Sequence, residues 1–200
     1  LADKAAEIAG NQTHSFTTIQ LPINMLEREG LKCASWAKKN GLRVLANRPL
    51  NAQKGELMLR LAEYDESSEY YNYLNELLEV SDNDELRSLY TLIEQLDANK
   101  HKFGWIGDYE SFLYSQIIPH IQKSLKGIDE KSFEVLFTYI DLFLTEYRKM
   151  VAHECSKTTR LEIKEHLLDC SSRLQECALK FLLKNESIDY VLVGMRKSSY

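Results

Sequence analysis

Zinc sites are built where four cysteine, histidine or carboxylate side chains converge. This 200-residue chain carries candidates in its carboxyl-terminal half. His153 and Cys155 are near neighbours, and His166 and Cys170 stand one helical turn apart. The four cysteines, Cys33, Cys155, Cys170 and Cys177, form no C-x-x-C pair and no spacing of a stapled small scaffold. Side chains three or four apart on a helix meet by chance, so the reading is no metal and buried thiols acting as small hydrophobes. "EYYNYL" places Tyr70, Tyr71 and Tyr73 together, as a binding platform or as helix packing; packing is the expectation. "FGWIGDYESFLY", Phe103 to Tyr114, puts a tryptophan and two glycines in an expected loop. It reads as a helix connection rather than a lid. Arg196 and Lys197 form a cationic pair that, taken alone, is a pair of surface charges.

Composition narrows what such groups serve. Hydrophobic content of 44% and charged content of 28% are globular values, and 8 glycines with 3 prolines leave little room for long linkers. A net charge of -5 with no basic block argues against nucleic acid as the main partner, and none is expected. No apolar run spans a bilayer and no signal peptide opens the chain, so the expectation is a cytoplasmic protein with no membrane partner. The chain starts at Leu1 in a helical pattern and stops soon after an apolar run, as a piece cut from a longer polypeptide is expected to do.

Three regions follow. Residues 1–51 alternate: a helix Leu1–Ala9 stopped by Gly10, a strand Phe16–Pro22, a helix Leu31–Asn40 stopped by Gly41, and a strand Leu42–Ala46. This is the βαβ signal of a parallel sheet. Residues 52–186 show no convincing strand and read as amphipathic helices at 54–64, 67–80, 83–98, 108–126, 130–152 and 157–185. The clearest stripe is Phe133, Leu136, Phe137, Ile140, Phe143, Leu144, Tyr147 and Val151. "SDNDE" (Ser81–Glu85) and "GIDE" (Gly127–Glu130) read as helix starts. Residues 187–200 hold a strand, Tyr190–Val193, broken by Gly194. Three buried strands leave apolar edges open. The remaining strands are expected either from the rest of a larger α/β domain or from a partner.

"QLPINMLERE", Gln20–Glu29, resembles the sixth-strand segment of aldo-keto reductases, in the branch of the potassium-channel β-subunits. Gln20, then Ile23-Asn24-Met25-Leu26 and Arg28, follow that pattern. "CASWAKKNGLRVLANRPL" looks like the next helix and seventh strand, and "YVLVGMRKSSY" is similar to the eighth strand and its phosphate-binding loop. The resemblance implies the last three strands of a (β/α)8 barrel, with a helical insertion between the last two, holding NADP(H) across the strands' carboxyl ends. It places Gln20 on the nicotinamide carboxamide and Asn47 where the family stacks a tyrosine on the ring. Arg48, Pro49 and Leu50 would line the pyrophosphate channel. Gly194, Met195, Arg196 and Lys197 would surround the adenosine phosphate, with Tyr200 near the ribose.

The family's catalytic Asp, Tyr, Lys and His lie on its first four strands, which this chain lacks, so no catalytic residue is assigned. The implied function is the cofactor-binding portion of an NADP-dependent oxidoreductase acting on a small carbonyl substrate. It would work with a missing amino-terminal barrel half or as a homo-oligomer. The alternative is a non-catalytic helical interaction module on a barrel remnant.

Overall fold

A computed structural model describes residues 1–79, 86–165 and 170–194. It is an α/β structure, predominantly helical, and its described residues form two small sheets and no closed barrel. They divide into two units, one from residues 1–56 and 171–194, the other from residues 57–79, 86–165 and 170. No described helix is long and apolar enough to cross a membrane.

Unit 1 is built from α1 (Ala2–Ile8), β1 (Thr18–Pro22), α2 (Gly30–Lys39), β2 (Arg43–Asn47), β3 (Asn51–Lys54), α8 (Leu174–Leu183) and β5 (Tyr190–Val191). Glycine stops two of its helices as the sequence predicts. Gly10 and Gly41 sit at φ +72° and +73°, where residues with a Cβ are strained. At the second stop, the Gly41 N–H donates to Lys38 O at 3.1 Å and the Leu42 N–H to Ala37 O at 2.9 Å, closing the end of α2.

The strands are parallel in the order β1-β2-β5. Ile19 faces Val44 and Leu21 faces Ala46 in register. These residues, with Val191, pack against Ala34 and Ala37 of α2 and Leu182 of α8. Side chains alternate across a strand, so Thr18, Gln20, Leu45, Asn47 and Tyr190 share the opposite face. Gln20 and Tyr190 are exposed there. The first strand begins at Thr18 rather than at Phe16, and the last covers Tyr190–Val191 rather than reaching Val193. α8, which the sequence groups with the helical region, packs on this sheet.

Asp189 anchors the short strand β5. Its carboxylate accepts from the Val44 N–H at 2.9 Å and pairs with the Lys38 ammonium. That ammonium, and next the amide, hold the carboxyl below the ordinary aspartate range. A carboxyl depressed on folding stabilises the fold above its unfolded pKa, and that contribution is lost as pH falls through its folded value. Unit 1 should therefore weaken below the ordinary carboxylate range. Urea unfolding followed through Trp36 in a Trp105→Phe background, at pH 7 and pH 3, should show a smaller acid loss with Asp189→Asn than without it.

Unit 2 holds β4 (Leu57–Arg60), α3 (Tyr70–Glu79), α4 (Arg87–Asn99), α5 (Ile106–Phe112), α6 (Ile118–Ser124) and α7 (Glu130–Glu165). A widened turn, Leu113–Ile117, joins α5 to α6 just before Pro119, which has no N–H for the helical ladder. The core gathers Tyr70, Leu89, Ile93, Tyr109, Ile117, Phe143 and Tyr147. Tyr109 and Tyr147 ring centroids are 5.3 Å apart, and those of Tyr70 and Phe143 are 5.7 Å apart.

Two expectations fail here. The helix at 54–64 and the absence of strands are both overturned: β3 and β4 form a two-stranded hairpin whose turn carries Gly55 at φ +61°. Helices at 130–152 and 157–185 are replaced by one 36-residue helix, α7, and the separate α8. No Gly or Pro lies between Val151 and Glu165 to end α7 early. The expected start at Gly127–Glu130 is present: the Asp129 carboxylate accepts from the Ser132 N–H at 3.1 Å at the head of α7. The start expected at Ser81–Glu85 lies outside the described residues.

Candidate functional site

The carboxyl ends of β1 and β2 meet in a polar corner. After Pro22 the chain buries Ile23, Asn24 and Met25 in succession. Asn24 is fully buried and fully engaged. Its Oδ1 accepts from the N–H groups of Leu26 (3.0 Å) and Glu27 (2.9 Å). Its Nδ2 donates to Glu27 Oε2 at 2.7 Å, Asn51 O at 3.1 Å and Arg48 O at 3.3 Å. One side chain thus ties the loop after β1 to the connection after β2.

Arg48 stands in that connection at φ +54°, a left-handed backbone unusual for a residue with a Cβ. Glu27 holds it there. The carboxylate pairs with the Arg48 guanidinium and accepts from the Gln53 N–H at 3.0 Å. Two buried polar atoms at this point have no partner in the structure, Asn47 Oδ1 and Arg48 Nε. Left-handed backbone and unmet polar groups both cost free energy. They concentrate at the face where parallel sheets bind ligands.

Six of the residues that the resemblance marks, Gln20, Asn47, Arg48, Pro49, Leu50 and Gly194, have a definite place. Gln20 sits inside β1, exposed, two positions before the strand's carboxyl end. Asn47 closes β2 on the same face, opposite Pro22. Arg48 has its charge met by Glu27 rather than offered freely. Pro49 is buried and Leu50 half-buried. Gly194 lies just past β5, and a Cβ added to it would meet nothing within 4 Å. Met195, Arg196, Lys197 and Tyr200 lie outside the described residues. Gln20 and Asn47 therefore share one face of one sheet with Arg48 at its rim, and the adenosine-end residues are not placed.

A primary amide such as Gln20 offers one donor and one acceptor set, the complement of a carboxamide. The orphaned Asn47 acceptor adds a second polar group beside it. A cation for a nucleotide's phosphates has to come from residues other than the Glu27-paired Arg48.

Sequence reading passed over Asn24 and Glu27 as functional residues, and it missed a polar trio in unit 2. The Tyr70 hydroxyl donates to Asp97 Oδ1 at 2.8 Å, and Lys100 Nζ donates to the same atom at 2.6 Å. Tyr, Asp and Lys together suggest proton transfer. Their setting argues otherwise: Tyr70 is fully buried, and burial first, then the Asp97 carboxylate, pushes its hydroxyl well above the ordinary tyrosine range. A general acid needs a pKa near the working pH, so this trio belongs to the core.

The cysteines also depart from expectation. Cys170 and Cys177 are disulfide-bonded, Cys33 is exposed, and only Cys155 is a buried thiol. Burial pushes Cys155 up to about 11, which removes it as a nucleophile. Among the described residues no group of His, Cys, Asp and Glu is arranged to hold a metal ion; His166 is not among them. Comparison with protein-family models, with curated proteins and with solved structures finds no match.

Proposed function

We propose that the β1-β2-β5 sheet is the NADP(H)-holding portion of a (β/α)8 oxidoreductase of aldo-keto reductase type, acting on small carbonyl compounds. The observation that carries this reading is the sheet's one-sided dress. Helices cover the Val44 and Ala46 face, while Gln20 and Tyr190 stay exposed on the other. A barrel wedge has that form, with helices outside and the inner face turned to the remaining strands. The strained corner at Arg48 lies at the end of the sheet where such barrels hold their ligands.

The roles follow from position. Gln20 binds the carboxamide and Asn47 sits beside the ring. Arg48, Pro49 and Leu50 border the pyrophosphate, with Glu27 and Asn24 keeping that border in shape. Gly194, Met195, Arg196, Lys197 and Tyr200 serve the adenosine end. The bound nucleotide supplies hydride chemistry to a carbonyl, and the proton donor comes from strands outside this chain.

NADPH fluorescence titration of the longest translated form of the protein tests these roles. Gln20→Ala and Arg196→Ala should each weaken binding about tenfold, the equivalent of one lost hydrogen bond or ion pair to a charged ligand. Melting temperature should stay unchanged. Unaltered affinity in both variants would refute the assignment.

A further inference from the structure

The first turns of α7 are apolar yet unsupported. Between Glu130 and Tyr139 no residue is buried, and only Leu136 is half-buried. Val135 is 55% exposed and Phe137 49%. Phe133 and Tyr139 are exposed as well, and the Phe133 and Phe137 rings stack at 5.7 Å. A helix with apolar groups all round is normally covered, and contiguous exposed apolar surface marks an interaction site.

Beside these turns lies a groove of about 980 Å³, floored by Leu77, Ile128 and Leu136 and walled by Val135 and Tyr139. Its rim is acidic. Among the described residues that line it, Glu76, Glu79 and Asp129 stand against one ammonium, Lys131. Hydrogen bonds from Ser132, side chain and then backbone, hold the Asp129 carboxyl below its ordinary range, so it is charged at neutral pH.

We infer that this groove is a docking surface for a basic amphipathic helix of another protein. The groove takes apolar side chains at i, i+3 and i+4, and the rim takes the flanking Lys or Arg. Charge selects this occupant over a second copy. A two-fold pairing sets the same patch against itself, here carboxylates against carboxylates, in a chain of net charge -5.

Two fluorescein-labelled helical peptides, one of Leu and Lys and one of Leu and Glu at the same spacing, provide the probe. Anisotropy titration with the longest translated form of the protein should give the Lys peptide a Kd on the order of 10 µM, at least about tenfold tighter than the Glu peptide. Val135→Glu and Tyr139→Glu alter exposed side chains and should keep the melting temperature while weakening binding about tenfold. Glu76→Lys with Glu79→Lys should reverse the preference between peptides. Equal binding of both peptides, no binding of the Lys peptide, or indifference to Val135→Glu and Tyr139→Glu would overturn the inference. So would sedimentation showing a dimer that Val135→Glu dissociates, because a second copy would then be the occupant.

Discussion

Asn24→Ala should destabilise unit 1 by about 3 kcal/mol, the top of the range for stranding buried hydrogen-bonding groups. The side chain is fully buried and serves five partners on two connections. Its loss leaves the Leu26 and Glu27 amides and the Arg48 and Asn51 carbonyls without that partner. Arg48 would also lose part of what holds it at φ +54°. Urea unfolding read through Trp36 in a Trp105→Phe background isolates the effect. Asn24→Asp should be damaging too, because it removes the Nδ2 donor and sets a second carboxylate against Glu27. A loss below about 1 kcal/mol for Asn24→Ala would mean that the corner is not what joins the two connections.

Phe143→Ala should cost unit 2 about 3–5 kcal/mol, the range for a buried aromatic cut back to a methyl group. Phe143 is fully buried and lies 5.7 Å, centroid to centroid, from both Tyr70 and Tyr147. Phe137→Ala, earlier on α7 and 49% exposed, should cost no more than about 0.5 kcal/mol. Trp105 fluorescence in a Trp36→Phe background reads both variants. Similar losses for the two would contradict the division of α7 into a supported part and an open part.

That division could not be read from periodicity. Phe133, Phe137, Phe143 and Tyr147 fall on one apolar stripe, and spacing alone makes them equivalent. Which of them is buried depends on how far α3, α4 and α5 extend along α7, a tertiary fact. The same limit hid the Glu27–Arg48 pair, whose members are 21 residues apart. The parallel sheet was legible because its signals are local: apolar runs at β1 and β2, with glycines at 10 and 41 that end helices. The β3–β4 hairpin was missed because "GELMLRLAEY" is rich in helix formers. Its one sequence sign was Gly55, which supplies the turn between the two short strands. Asn24 could have been noticed as a polar residue inside a buried run. Its five bonds depend on a second loop that local sequence does not bring near.

The proposed nucleotide role and the proposed docking surface lie in different units and stand separately. Gln20, Asn47 and the strained corner belong to the sheet, while Val135, Tyr139 and the acidic rim belong to the helices around α7. Variants of one should leave the other's binding unchanged.

The most direct test of the nucleotide reading is an NADPH titration of the longest translated form of the protein, followed by cofactor and tryptophan fluorescence, with Gln20→Ala run in parallel. Saturable binding on the order of 1–10 µM, weakened about tenfold by Gln20→Ala, is the expected result. Absence of binding, or binding indifferent to Gln20, would contradict it and leave the sheet without a nucleotide to hold.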